Sequence, residues 1–389
     1  MANTAEATGP GRAADPVLRP QPATPSTARA INDRAALDLF VSRGPLTALE
    51  LAEATGLAKP TVADLLGRLQ EGGLVDQVGE VKTDKRGPNA KLYALSEQRA
   101  CVAGIDARAE VVHLSLAGLA GQRLGESTLQ VPPGLPEDAV LDRLADTLLA
   151  LAGRAPAPLA AVTIGMPGLV DPATGQIGRA QMSPSWHTRL AEAVRVRTGL
   201  DPAAVLLENE VNLAAIAEHL LLAGQGVDTF ALIWLGTGVG AALMLDGRLR
   251  RGASGGAGEI GYLPVAGAVA DGPTGPVRML DCGVNGLIWS GALADLAERL
   301  PPAEVLPAVA ERVMFGVAAF AVTVDPGVVV LGGENGAAGG AELAQLVEQR
   351  LAQFCPVPTR VLPTAVPGNP ILAGAVATAL DRARAQLWP

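Results

Sequence analysis

Two short stretches of this 389-residue chain carry residue types at spacings that can do chemistry. In the first, Leu235-Gly236-Thr237-Gly238-Val239-Gly240 follows an apolar strand candidate at 229–234. Glycines in such a turn let backbone N–H groups close around an anion. The same pattern also makes a tight hairpin between two buried strands. Downstream, Arg251-Gly252-Ala253-Ser254-Gly255-Gly256-Ala257-Gly258-Glu259-Ile260-Gly261 sets one carboxylate in a backbone that can pass close to a ligand. The second stretch is basic: all four lysines, Lys59, Lys82, Lys85 and Lys91, lie within it. The chain as a whole has a formal net charge of −9, a field that repels nucleic acid. The lysine cluster therefore points to a small basic module attached to a large acidic one.

The elements around those lysines give them a frame. Residues 1–27 are rich in Pro, Ala and Thr without periodicity and read as a disordered arm. A helix over 28–41 follows from the spacing of Ile31, Ala35, Leu39 and Phe40. Pro45 breaks it, Thr47 caps a second helix over 48–55 with Glu50 as capping-box partner, and Gly56 ends it. Pro60 opens a third helix that stops at Gly72-Gly73. An extended segment, a polar loop over 81–89 and a returning strand at Leu92-Tyr93-Ala94-Leu95 complete a winged helix-turn-helix over 28–96. Such a module reads bases from the start of its second motif helix. Lys59 and Thr61 are the contacts expected there, with Arg68 one turn on, while Val62, Leu65, Leu66 and Leu69 form the core stripe. Asp64 either accepts from a cytosine amino group or faces water. In the wing, Lys82, Lys85, Arg86, Gly87 and Lys91 are the expected contacts, reaching either the minor groove or phosphates alone.

From Cys101 onward strands alternate with helices, which predicts an α/β architecture of two lobes, 100–225 and 226–389, with a ligand cleft between them. Cys101, Cys282 and Cys355 are odd in number and far apart, which argues for a reducing compartment. No continuous apolar run of membrane-span length is expected, so the reading is cytoplasmic.

The long motif at 235–262 resembles the second phosphate loop and sugar-binding glutamate of the ROK family, sugar kinases and sugar-responsive repressors of actin-like (ribonuclease H-like) fold. The resemblance extends over about 31–387, and Arg86-Gly87-Pro88 is similar to the wing of ROK repressors. It implies a sugar pocket containing Gly168 of Gly165-Met166-Pro167-Gly168, Asn209 and Glu210 of Glu208-Asn209-Glu210-Val211-Asn212, Glu259 and Tyr262. Glu210 falls where the kinases carry their catalytic aspartate, Tyr262 where they carry a histidine, and Trp289 where a second glutamate is expected. Ser185 falls near a sugar-contacting asparagine. The family's first phosphate loop is replaced by Asp106-Ala107-Arg108-Ala109-Glu110, whose side chains and extra carboxylate oppose phosphate binding. Of the family's zinc ligands only Cys282 remains.

These observations predict a DNA-binding transcriptional regulator, a repressor with a degenerate kinase module, no catalytic residue, no metal and no cofactor. Its expected partners are a double-stranded operator, a sugar or sugar-derived effector, and a second copy of itself, as a dimer or dimer of dimers. Three readings of the cleft stay open: an effector site, an active sugar kinase, or a pocket filled by aromatic side chains that binds nothing.

Overall fold

The computed structural model describes residues 25–82, 89–178, 184–264 and 284–388. The chain opens with helix α1 (Pro25–Arg43), so the last residues of the expected arm are helical. A two-residue strand β1 (Leu46–Thr47) leads into α2 (Ala48–Thr55), then α3 (Lys59–Glu71), β2 (Val75–Val81) and β3 (Ala90–Leu95). The strands form a sheet of order β1-β3-β2, the short β1 pairing Leu46 with Tyr93. The capping box forms: the Glu50 N–H donates to Thr47 Oγ1 at 3.3 Å, and the Thr47 N–H donates to Glu50 Oε2 at 2.7 Å. The Thr47 N–H and the Thr47 hydroxyl, which also donates to Glu50 Oε2, hold the Glu50 carboxyl below its ordinary pKa. Gly56 ends α2 in the left-handed region at φ 70°, where glycine carries no penalty.

Two five-stranded sheets follow, built on one plan. The first has order β6-β5-β4-β7-β8, from β4 (Cys101–Ala107), β5 (Val111–Gly118), β6 (Arg123–Gln130), β7 (Leu159–Met166) and β8 (Val205–Asn209). The second has order β11-β10-β9-β12-β13, from β9 (Phe230–Leu235), β10 (Val239–Leu245), β11 (Arg248–Leu249), β12 (Val328–Gly332) and β13 (Arg360–Pro363). Each is an antiparallel meander continued by two parallel strands. Helices α4 (Glu137–Ala152) and α5 (His187–Thr198) cover one face of the first sheet, sharing a core with Cys101, Ala103 and Ile105 of β4.

The other face is covered by a helix from the far end of the chain. After α6 (Glu210–Leu222), the second lobe runs through α7 (Val284–Ile288), α8 (Ser290–Arg299), α9 (Pro302–Thr323) and α10 (Gly333–Phe354), and α11 (Pro370–Leu387) then returns to pack on β4 and β7. The last helix of the chain thus lies against the first sheet although it follows the second in sequence. The exchange is mutual, because α6 packs against β10 and β9 of the second.

Helix α9 belongs to the core of the second lobe despite its length and apolar composition. It is 22 residues long with mean hydropathy 1.7 over an 18-residue window, enough by length and composition to cross a membrane. Its Val309, Ala310, Val313, Val317 and Ala321 are buried in the core of the second lobe against α10 and β9. In α10, Gly340 leaves helical geometry (φ 52°, ψ −146°), so the element is two helical pieces.

Candidate functional site

The winged helix exposes Lys59, Lys82 and Lys91. Ala58 caps α3 with extended backbone and no side-chain bond, leaving the first N–H groups of the helix to an outside acceptor. Lys59 and Thr61 are exposed beside them, while Val62, Leu65, Leu66 and Leu69 are buried. Lys82 and Lys91 are exposed at the base of the wing, and a bulge at Val78 shifts the β2–β3 register between Gln77 and Gly79. Lys85, Arg86 and Gly87 lie outside the described residues. Arg68 is engaged within the domain. Its Nη2 donates to Asp33 Oδ1 of α1 at 2.6 Å and its Nε to Oδ2 at 3.3 Å, and Nη1 takes exposed Asp64. The guanidinium is committed to holding α1 against α3.

Between the lobes, chain ends converge. Strand β4 delivers Asp106 and then Arg108; β7 runs out into Gly168, whose φ of 125° excludes a side chain. Strand β8 ends at Asn209, which caps α6 by accepting from the Val211 and Asn212 N–H groups at 2.8 and 3.2 Å. Its Nδ2 donates to the Gly168 carbonyl and to Glu210 Oε2, both at 3.1 Å. The Asn209 amide thus locks the pocket's backbone.

Glu210 follows at the first position of α6. Burial pushes its pKa up to about 7; its own backbone bond and Arg108 oppose the shift, and the charges of Asp106 and Glu259 add to it. Burial raises Glu259 as well. A carboxyl titrating near neutrality, as Glu210 does, can both accept from and donate to ligand hydroxyls. Tyr262, at the end of a short 3₁₀ turn, and Trp289, before α8, are each 43% exposed. Ser185 is turned away and donates to Glu137.

The glycine-rich turn is a hairpin: Val239 pairs with Leu235, and the Gly236 N–H donates to the Gly238 carbonyl at 3.1 Å. Beside it stands Glu334 in the first turn of α10, and a Cβ on Gly236 would lie 2.7 Å from its Oε2. Arg108 reaches this carboxylate across the cleft, Nη1 to Oε1 at 2.7 Å, while its Nε holds Asp106 at 3.0 Å. A second crossing runs from Arg251 Nε to Glu208 Oε2 at 2.7 Å; buried Glu208 also accepts from the Asn209 N–H and Asn212 Nδ2.

Residues 102–298, half of the chain, match the family model described as the ROK family. The chain belongs to the ROK family. Residues 35–79 match the model of the IclR helix-turn-helix domain. This ROK protein is 25% identical over 238 residues to a xylose repressor of Caldicellulosiruptor bescii, covering 60% of this chain and 59% of the repressor. It is 30% identical over 197 residues to a glucokinase of Thermotoga maritima, covering 50% and 58% respectively. The chain thus spans less than two thirds of the length of these relatives. Among solved structures, a ROK family transcriptional regulator described as a homolog of the E. coli MLC protein matches with a TM-score of 0.69 at 19% identity, covering 92% of this chain and 97% of that one. A ROK hexokinase from Thermus thermophilus gives 0.60 at 24% identity, covering 73% and 99%. The fold is a winged helix followed by the actin-like module of this family.

Within the ROK module, the structure brings Gly168, Asn209, Glu210 and Asp106 together around one cleft. Glu334 and Asn369, which also bear on Asp106 and Arg108, carry no local signal in the sequence. Among the described residues no group of three or more His, Cys, Asp or Glu is arranged to hold a metal ion, and Cys282 lies outside them.

Proposed function

We propose that this ROK protein is a sugar-responsive transcriptional repressor. It binds a palindromic operator as a homodimer through Lys59, Thr61 and the wing residues Lys82, Lys85, Arg86, Gly87 and Lys91. Its cleft takes an uncharged sugar or sugar-derived effector against Gly168, Glu210, Glu259 and Tyr262, with Asn209 holding the pocket in shape, and it transfers no phosphate. The observation that carries the last point is the ion pair of Arg108 with Asp106 and Glu334. Kinases of phosphoryl groups depend on positioning and neutralising phosphate charge. Here the cation at the first loop is consumed by two carboxylates, and one of them, Glu334, stands against the second glycine-rich turn. Repressors among the relatives and the helix-turn-helix match support the DNA-binding half of the reading. An operator-binding protein works in the cytoplasm.

The rival is a sugar kinase with an appended DNA-binding domain, favoured by Glu210, whose pKa of about 7 suits a base. Two assays on the full-length protein decide between them. Selection from random duplexes should recover a palindromic sequence bound more tightly than bulk DNA, and a coupled ATP assay over a panel of hexoses should stay below about 1 turnover per second, the low end of the kinase range. Turnover above that, or no preferred duplex, overturns the repressor reading.

A further inference from the structure

Helix α11 runs from the cleft to the hydrophobic core that the winged helix shares with the first lobe. At its N-terminus, Asn369 caps the helix by accepting from the Leu372 N–H at 3.0 Å, and its Nδ2 donates to Asp106 Oδ2 at 2.8 Å. Asp106 is the carboxylate that holds Arg108, and Arg108 crosses to Glu334 of the other lobe. The start of this helix is therefore bonded to the ion pair that bridges the cleft.

At the opposite end, Ala379, Leu380, Ala383 and Trp388 share one buried core with Leu37 and Phe40 of α1 and with Leu65 and Leu69 of α3. Arg384 donates to the Leu119 carbonyl from Nη2 at 2.7 Å and lies over the Trp388 ring at 5.8 Å. Asp38 of α1 lies near enough to act on its charge.

Between these ends the helix is gripped. Alternation along β4 turns Val102, Gly104 and Asp106 toward α11, and a Cβ on Gly104 would lie 2.8 Å from the Val376 nitrogen and 3.0 Å from the Leu372 carbonyl. On its other side Gly374 lies so close to the Leu213 carbonyl of α6 that no side chain fits. Eighteen residues make a rod about 27 Å long. Packed at the density of a protein interior, such a rod moves as a body or stays where it is.

We propose that α11 is the element through which the cleft controls the winged helix. A ligand that draws Arg108 or Asp106 into new bonds changes what holds Asn369; α11 shifts as a unit, and its far end carries α1 and α3 with it. The proposal rests on the reading of the protein as a ligand-responsive DNA-binding regulator and supplies the route of that response.

Hydrogen exchange on the full-length protein tests the route without effector or operator. Asp106→Asn removes the charge that holds Arg108, and Asn369→Ala removes the cap and the cleft bond together. Both should speed exchange about fivefold or more, the lower range of coupling between sites, at 380–388 and 34–43. Helices α4 and α5, on the opposite face of the first sheet, should exchange as in wild type. Coupling is reciprocal, so Trp388→Phe at the far end should alter exchange at 369–376. Changes confined to 106–110 and 369–373 in the cleft variants overturn the proposal, as does Trp388→Phe leaving 369–376 untouched. If Asn369→Ala unfolds, which loss of protection in α4 would reveal, Asp106→Asn and Trp388→Phe decide the matter. Titration of wild type and Asp106→Asn with duplex DNA keeps the two readings apart. Wild type that ignores DNA removes the regulator reading and leaves the coupling measured by exchange standing.

Discussion

His187 sits at the start of α5, 1% exposed, with neither ring nitrogen bonded and the ring edge-on to Trp186 at 4.2 Å between centroids. Burial lowers its pKa to about 4. The unfolded chain therefore takes up this proton first. Stability is intact above about pH 6.5 and falls as pH drops toward 4, by about 2–3 kcal/mol at pH 4.5. His187→Phe, which keeps an edge for Trp186, should lose that part of the acid sensitivity in urea melts at pH 7.5 and 4.5; a decline as steep as wild type's would assign it to other groups. Glu210 works with the opposite sign. Its raised pKa means that stability present at acid pH is lost as pH rises from 4.5 through about 7. Glu210→Gln should raise the urea midpoint at pH 8 and change it little at pH 4.5, and a variant no more stable at pH 8 would show the carboxylate to be compensated.

Within the winged helix, two residues that look alike in sequence do different work. Arg68 and Lys82 both read as DNA contacts, yet Lys82 is exposed at the base of the wing, while Arg68 serves Asp33, whose side chain is 9% exposed. Arg68→Ala should cost about 1.5–3 kcal/mol, the worth of a hydrogen bond to a charged group, by leaving that carboxylate unpaired. Lys82→Ala should leave stability unchanged, weaken binding to any duplex and lower the salt slope by about one phosphate. Equal loss of stability in both, by thermal melts, would undo the distinction. The difference was hidden in sequence because Asp33 lies 35 residues from Arg68. Local signals were legible: the Thr47–Glu50 box, the α3 stripe and the Gly56 stop follow from neighbours a few residues apart. Helix α9 was not, since Pro301, Pro302 and Pro307 break its start and apolar residues all round it erase the 3.6-residue period. In the cleft, Asn209 and Glu210 stood in a recognisable motif, whereas Glu334 and Asn369 gain meaning only when the fold brings them to Arg108 and Asp106.

The cohesion of the two lobes turns on a helix crossing. Helix α6 carries Val211, Leu213 and Ala214 into a core with Phe230, Leu232 and Trp234 of the second sheet, while α11 lies on the first sheet and crosses α6 at Gly374. A Cβ added at Gly374 would strike the Leu213 carbonyl, which is backbone and has no rotamer to yield. Gly374→Ala thus sets two effects against each other. Helix propensity favours alanine by about 1 kcal/mol. Against that stands forcing two packed helices apart, which costs about 3 kcal/mol or more when the obstacle cannot move. The steric effect should win, and Gly374→Ala should lower the unfolding temperature by several degrees. The exposed neighbour gives the control: Ala373→Gly should cost only the propensity, about 1 kcal/mol. Because each helix bears on a different sheet, loosening the crossing should also loosen the ion pairs that span the cleft, and hydrogen exchange at 106–110 and 333–339 should quicken in Gly374→Ala and not in Ala373→Gly. A Gly374→Ala protein as stable as wild type, with those segments unchanged, would mean that the lobes are held by the ion pairs and sheets alone and that the crossing transmits nothing.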